Sequence, residues 1–199
     1  MMEIVPISRE HYTRMAELHC RGYTDDFLPN FGPKFLIALY EGMFASNLAF
    51  GYVGLIGDEL VGFCIFTPDT SRLFRSTLKR KFFKLGWYAG LGVLRRPSLF
   101  LRTLETFLYE SRTELEDVKA EILPWVVDPK YRRKGLGTQI WDACEQAMKR
   151  MGIKEYKLVP AFEKEASHNF FIKRGYELKG EFTFYGKKWH LFLAKLKDD

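Results

Sequence analysis

A short basic segment that contains two glycines has the residue types needed to bind a diphosphate. It reads Arg132-Arg133-Lys134-Gly135-Leu136-Gly137-Thr138 and connects an apolar run at 122–127 to a helical pattern at 135–151. Glycine lets the backbone turn tightly and approach a ligand. The first N–H groups of a helix have no intrahelical partner and favour negative charge, to which the three cationic side chains add. The segment therefore predicts a pyrophosphate cradle at a helix N-terminus.

The spacing of the two glycines decides which kind of cradle this is. A Walker loop needs four residues between its glycines, whereas one residue separates Gly135 from Gly137. A dinucleotide fingerprint needs a third glycine where Ile140 stands. The segment instead resembles the acyl-CoA loop of the GCN5-related N-acetyltransferase (GNAT) superfamily, Arg/Gln-x-x-Gly-x-Gly/Ala, with Arg132, Gly135 and Gly137 at its fixed positions. The alternative is a basic solvated turn before an ordinary helix.

A second segment, 167–176, also resembles the family. GNAT proteins carry Asn-x-x-Ala-x-x-Phe-Tyr-x-x-x-Gly-Phe about 30 to 40 residues after the CoA loop, and this chain fits at Phe170, Lys173, Gly175 and Tyr176. Two signatures in the right order, separated by a strand, are far less probable by chance than one. The chain is identified by them as a member of the superfamily.

Three positions of the second signature depart from the family. Lys164 and Ser167 replace the usual Asn and Ala, and Phe171 replaces the Tyr that in relatives protonates the departing thiolate. Phenylalanine cannot donate a proton. A thiol has a pKa of about 8.5, so protonation by water is one alternative. The other alternative is that the hydroxyl of Tyr185 or of Ser167 donates the proton. The competing interpretation is that either hydroxyl has only a structural role.

The resemblance implies direct transfer of an acetyl group from acetyl-CoA to a primary amine. It also implies that the strand before the loop splays from its neighbour, so that main-chain amides at 125–127 face the thioester. Glu121 is the predicted base, with a strand-end charge pair as the alternative. Alternation along the strand predicts Glu121, Leu123, Trp125 and Val127 on one face. The predicted CoA-binding residues are Trp125, Val126, Val127, Arg132, Arg133, Lys134, Gly135, Leu136, Gly137, Thr138, Ser167, Asn169 and Phe171, and weaker base candidates are Glu116, Asp117, His168 and His190.

The composition is that of an ordinary globular chain. Hydrophobic residues make up 47% and charged residues 28%. Three widely spaced cysteines argue against a disulfide framework and for a reducing compartment. No histidine has a partner at metal-ligand spacing, so we expect no metal. With no signal pattern or long apolar run visible, the expected location is the cytoplasm.

The positive charge is concentrated in one segment. Between residues 72 and 104 there are nine basic residues and no acidic one, whereas the rest of the chain has 22 basic and 25 acidic residues. The spacing of Phe74, Leu78, Phe82 and Leu85 predicts an amphipathic helix. Glycines at 86, 90 and 92 are expected to interrupt it, and 99–109 to form a second helix. The alternatives are a packed hairpin with a solvated basic face, a docking surface for an anionic acceptor, and a membrane-surface patch across 72–102. Nucleic acid is not expected.

The element pattern predicts one α/β (α+β) domain over 1–199, built on a mixed, mostly antiparallel sheet flanked by helices. Strands are predicted at 3–7, 48–56, 60–67, 119–127, 156–159, 176–185 and 189–196, with helices at 8–19, 34–46, 135–151 and 164–174. A helical insertion at about 69–113 separates the third and fourth strands. The first acceptor hypothesis is a small-molecule amine, such as an amino sugar or another anionic compound. A degenerate acyl-CoA-binding module and a protein or peptide acetyltransferase are the alternatives, and monomer or homodimer stays open.

Overall fold

A computed structural model describes residues 1–24, 26–100, 113, 115, 117–162 and 165–196, without the side chains of 165 and 166. Most of the predicted second helix of the insertion therefore lies outside the described residues. So do the candidate base Glu116 and the signature position Lys164.

Seven strands form one mixed sheet in the order β1-β2-β3-β4-β5-β7-β6. Every neighbouring pair is antiparallel except β4 and β5, which are parallel. The predicted fold class is confirmed. The strands are β1 Glu3–Pro6, β2 Phe50–Ile56, β3 Glu59–Thr67, β4 Glu121–Val127, β5 Glu155–Leu158, β6 Glu177–Phe184 and β7 Lys187–Lys195.

Helices cover both faces of this sheet. On one face, α1 (Tyr12–Gly22), α2 (Pro33–Phe44) and α3 (Thr70–Arg95) enclose an apolar core with β3. On the other, α4 (Leu136–Arg150) and α5 (Glu165–Lys173) enclose a second core that includes Trp141 and Phe171. Short 3₁₀ turns lie at Arg9–His11, Leu28–Phe31 and Pro129–Tyr131.

The glycines of the insertion do not end its helix, contrary to the sequence-based expectation. α3 spans 26 residues with a kink at Lys81 (φ −124°, ψ 17°), and its second part runs through all three glycines. Gly92 packs against Phe31, and a Cβ there would lie 2.5 Å from the Phe31 ring. Close packing thus explains a glycine that reads from the sequence as a helix breaker.

A β-bulge in β4 overturns the predicted alternation of side chains. Ile122 pairs with Phe66 and Trp125 with Cys64, so two residues of β4 stand opposite the single Ile65 of β3. Beyond the bulge the strand faces are exchanged: Leu123 packs in the core under α1, whereas Trp125 packs in the core under α4. Four residues in strict alternation therefore do not share a face. Pro124 lies inside the bulge, where a missing N–H is tolerated.

Candidate active site

The two parallel strands β4 and β5 separate just after they meet. Their pairing covers Glu121 with Lys157 and Ile122 with Leu158, after which β4 continues for five residues to Val127. Beyond the bulge, the β5-facing edge of β4 is therefore left without ladder hydrogen bonds to β5. An unpaired strand edge presents main-chain donors and acceptors to a ligand.

The hydrogen bonds at the end of β4 show which amides face this gap. The Asp128 N–H donates to the Val61 carbonyl of β3 at 2.9 Å. Since N–H direction alternates along a strand, the amides of Trp125 and Val127 point away from β3, and that of Val126 points toward it. The Arg132 Nε donates to the Val127 carbonyl at 3.1 Å, which agrees with this direction.

The loop after β4 leads directly into the N-terminus of α4. Asp128 Oδ1 accepts from the Lys130 N–H at 3.0 Å and fixes the turn. Arg133 (φ 60°) and Gly135 (φ 76°) then both adopt the left-handed conformation. The first helical hydrogen bond runs from the Gln139 N–H to the Gly135 carbonyl. The amides of 136–138 precede it and have no partner inside the helix, as the cradle requires.

Gly137 is a position where a side chain has no room. An added Cβ would lie 2.9 Å from Val127 Cγ2 and 3.0 Å from the Trp125 ring. The Trp125 Nε1 also donates to the Gly137 carbonyl at 3.2 Å. The first turn of α4 is therefore held against β4, so that the helix N-terminus and the open strand edge are neighbours.

The three cationic residues of the loop do different things. The Arg132 guanidinium donates to the carbonyls of Val127 and of Gly22, at 3.1 and 3.2 Å, so it ties the loop to β4 and to the end of α1. Arg133 and Lys134 are exposed beside the helix N-terminus. These two side chains place positive charge beside this helix N-terminus, as the predicted cradle requires.

Glu121 lies at the point where β4 and β5 diverge and is only 1% exposed. Its carboxylate accepts from the Thr70 hydroxyl at 2.8 Å, and the Lys157 Nζ lies 3.9 Å away. Lys157 in turn donates to the Thr113 carbonyl at 2.7 Å. The predicted base is thus a buried carboxylate with a cationic neighbour and not an exposed strand-end residue.

The second predicted signature, 167–176, covers most of α5 and the turn after it. Phe171 is 3% exposed and packs between Trp125, Trp141 and Tyr176. Ser167 is half-buried and Asn169 is exposed on the same helix. The position that carries a tyrosine in relatives is here part of the apolar core.

The other candidates occupy separate positions. Tyr185 begins the β6–β7 turn with φ 55°, and its ring stacks on Phe27 at 4.3 Å. Phe27 belongs to the α1–α2 connection, so these two loops meet. The rings of His168 and His190 lie 4.6 Å apart in the packing between α5 and β7. Asp117 lies before β4 with φ 64°.

Tyr23 is a site residue that the sequence did not reveal. It follows α1 directly, and its hydroxyl donates to the carbonyl of Trp125, the residue whose amide faces the gap. Burial raises the pKa of this hydroxyl well above its usual range, so it stays protonated. The sequence feature that could have pointed to Tyr23 is its position directly after Gly22, at the end of the first helix.

Comparison with known proteins agrees with this geometry. Residues 103–176 match the family model described as Acetyltransferase (GNAT) family. The match contains both sequence signatures, so this part of the chain is similar to a GNAT acetyltransferase domain. No curated protein shows significant similarity to it.

Solved structures of GNAT proteins have the same fold over almost the whole chain. A GNAT-family protein from Desulfovibrio desulfuricans is 9% identical with a TM-score of 0.65, covering 99% of this chain and 100% of its own. PaiA N-acetyltransferase from Thermoplasma acidophilum, solved with coenzyme A, is 14% identical (TM-score 0.61; 98% and 99%). The ribosomal-protein-S18-alanine N-acetyltransferase from Escherichia coli is 12% identical (TM-score 0.60; 100% and 96%). At these identities the likeness concerns the GNAT fold.

Two further observations concern only the described residues. Among them, no group of three or more histidine, cysteine, aspartate or glutamate side chains is arranged to hold a metal ion. Within the same residues, every helix is too short or too polar to span a lipid bilayer.

Proposed function

We propose that this protein transfers the acetyl group of acetyl-CoA directly to a primary amine. One observation carries the proposal: the open edge of β4, with the amides of Trp125 and Val127, lies beside the N-terminus of α4. A carrier that joins a diphosphate to a thioester through a pantetheine arm needs a helix N-terminus for the diphosphate and strand amides that lead away from it. The coenzyme A present in the PaiA structure supports the choice of carrier.

The cradle residues fit the diphosphate by charge and by shape. The amides of 136–138 and the side chains of Arg133 and Lys134 would bind its oxygens. Gly135 supplies the left-handed turn that precedes them, and Gly137 keeps the helix close to β4. Ser167 and Asn169 on α5 would line the pantetheine arm. Acetyl-CoA supplies an activated acetyl group, and the strand amides would stabilise the negative charge that develops on its carbonyl oxygen.

Glu121 is the proposed base. An aliphatic amine has a pKa of about 10.4 and is mostly protonated at neutral pH, so it must lose a proton before it attacks. A base must be ionised to take that proton, and the Thr70 hydroxyl and Lys157 both favour the ionised carboxylate. Its place at the vertex of the gap brings it to the strand that presents the amides.

The proton for the leaving thiolate has two proposed sources. Phe171 cannot supply it, and a thiolate of pKa about 8.5 can take it from water. Tyr185 is the side-chain candidate, because its turn contacts the α1–α2 connection that borders the gap. Tyr23 is assigned a positioning role, since its hydroxyl already donates to the Trp125 carbonyl.

The proposed acceptor is a small amine, with an amino sugar or another anionic compound as the first hypothesis. Phe27 stacks on Tyr185 and so joins the two loops that we assign to the acceptor side, and this junction favours a small molecule. A protein or peptide amine is the alternative, as in the S18-alanine relative. We place the reaction in the cytoplasm, in keeping with the free thiols of Cys20, Cys64 and Cys144.

The test combines binding with turnover. Isothermal calorimetry should detect acetyl-CoA and free CoA, and an amine library monitored by release of the CoA thiol should identify acceptors, whose products mass spectrometry would show to be acetylated. Thiol release without an acetylated amine would contradict the transfer. Binding of acetyl-CoA with no turnover across the library would favour a sensing module, and absence of binding would overturn both.

A further inference from the structure

The outward face of α3 carries large apolar side chains that the fold leaves exposed. Phe83, Trp87 and Leu94 are 89%, 68% and 80% exposed. Their spacing of four and seven residues puts them on one line along the helix. The opposite line holds Leu85 and Gly92, which are buried against the body of the protein. Only one of the two opposite apolar faces of this helix packs on the body of the protein. The other is exposed to solvent, and an exposed apolar face marks an interaction site.

Basic residues occupy the outward side of α3 before its kink at Lys81. Arg72, Arg75 and Lys79 lie at spacings of three and four, opposite the buried Leu73 and Thr77, and all three are exposed. Among the described residues of this region, Arg80, Lys84, Arg95 and Arg96 are also exposed, and Lys84 pairs with Glu41 of α2 at 3.0 Å. The segment 72–104 itself contains no acidic residue, so its own charge has one sign.

We propose that this outward face of α3 binds the surface of a membrane that contains anionic lipids. Aromatic and leucine side chains inserted at the headgroup level, next to clustered lysine and arginine, are the features of helices that lie in a membrane interface. The face supplies both, with the basic residues before the kink at Lys81 and the apolar line after it. Its charge complements anionic headgroups.

The charge also argues against self-association through the same face. A twofold dimer would place this surface against its own copy, so that basic residues would face basic residues without acidic partners. Such like-charge contact is unfavourable. A lipid surface provides opposite charge and an apolar layer together.

The proposed contact would bring the acceptor side of the enzyme close to the lipid. On its buried face, α3 packs Gly92 against Phe31, and Arg96 reaches Asn30. Both belong to the α1–α2 connection, which also carries Phe27. This connection would thus be held about one helix diameter, roughly 10 Å, from the headgroups.

Vesicle co-sedimentation of the full chain tests the proposal. The probes are vesicles of equal parts phosphatidylcholine and phosphatidylserine, and vesicles of phosphatidylcholine alone. We expect binding to the first that weakens with added NaCl, and little binding to the second. Replacing three basic residues in Arg72→Gln/Arg75→Gln/Lys79→Gln should weaken binding roughly 100-fold at low salt. Phe83→Ser/Trp87→Ser should weaken binding in a way that lower salt does not restore.

Matched variants keep the test specific. Met151→Ser/Leu178→Ser removes two exposed apolar side chains elsewhere, and Lys34→Gln/Lys154→Gln/Lys188→Gln removes three exposed charges elsewhere. Both should bind vesicles like the unchanged protein.

Equal losses in the control variants, or no binding to anionic vesicles at low salt, would overturn the proposal. A concentration-dependent dimer that is lost in Phe83→Ser/Trp87→Ser would also overturn it. The same holds if the protein binds an acidic protein through this face but does not bind anionic vesicles. Acetyl-CoA calorimetry on Phe83→Ser/Trp87→Ser should be unchanged, which separates this proposal from that of the enzyme.

Discussion

At the scale of single residues, the vertex of the β4–β5 gap gathers polar groups that the core would otherwise exclude. Glu121, Thr70 and Lys157 form one buried group there. Removal of one partner of a buried ion pair is strongly destabilising, so a substitution at Glu121 tests both its structural role and its proposed role as base.

Glu121→Gln should lower kcat by roughly 100-fold or more, because a positioned base contributes that much. The dissociation constant for acetyl-CoA, measured by calorimetry, should stay within experimental scatter. Glu177→Gln, an exposed carboxylate on β6, is the control and should leave kcat unchanged. Unchanged turnover in Glu121→Gln would remove this residue from the mechanism.

Tyr23→Phe removes the hydroxyl that holds the Trp125 carbonyl. If Tyr23 positions the strand, kcat should fall about tenfold with little change in KM for acetyl-CoA, since the change affects placement of the amides in the transition state. The pH dependence of kcat should keep its shape, because burial keeps the pKa of Tyr23 above the working range. A lost basic limb in the pH profile would instead make Tyr23 a proton donor.

At the scale of elements, the site depends on how closely α4 approaches β4. Gly137→Ala introduces a Cβ at 2.9 Å from Val127 and 3.0 Å from Trp125, so the helix start must move away. We expect weaker acetyl-CoA binding by calorimetry and a loss of about 1–3 kcal/mol in the free energy of unfolding.

Gly180→Ala is the matched control, because a Cβ at Gly180 meets no described atom within 4 Å. It should change neither acetyl-CoA binding nor unfolding appreciably. Equal binding by the two variants would show that the helix start does not form the cradle.

The elements of the fold could be predicted because their signals are local. The glycine loop, the strand before it and the helix after it follow from residue types at fixed spacings, and the family resemblance extends them. The bulge at Leu123–Pro124 could not be predicted, because a register shift depends on what β3 presents opposite. Tyr23 was missed for the same reason: its partner is a carbonyl 102 residues away. Gly92 read as a breaker because its packing against Phe31 is tertiary.

At the scale of the whole molecule, a polar network joins α4 to β5 and to the connection between α5 and β6. Tyr176 and Tyr156 both donate to Glu145, and Trp141 donates to the Tyr176 hydroxyl at 3.0 Å. Burial, followed by the hydrogen bond to Glu145, raises the pKa of Tyr176 to about 12 from its ordinary value of 10.0. The folded protein therefore holds this proton more tightly than the unfolded chain.

The sign of the pH effect follows directly. The contribution of Tyr176 to stability is fully present below about pH 10, the unfolded pKa, and is lost as pH rises toward the folded value of about 12. In chemical denaturation across this window, Tyr176→Phe should lose less of its stability than the unchanged protein does. Tyr52→Phe, a half-buried tyrosine outside the network, should behave like the unchanged protein. Parallel curves for all three would contradict the assignment.

The Arg132 guanidinium links the two ends of the proposed site. It joins the proposed diphosphate loop to the Gly22 carbonyl, one residue before Tyr23 and the segment that we assign to the amine side. Binding of acetyl-CoA to the loop would then fix the position of the segment after Gly22, against which the acceptor amine binds. We therefore expect a compulsory order, with acetyl-CoA entering first, and product-inhibition patterns that show free CoA competing with acetyl-CoA but not with the amine.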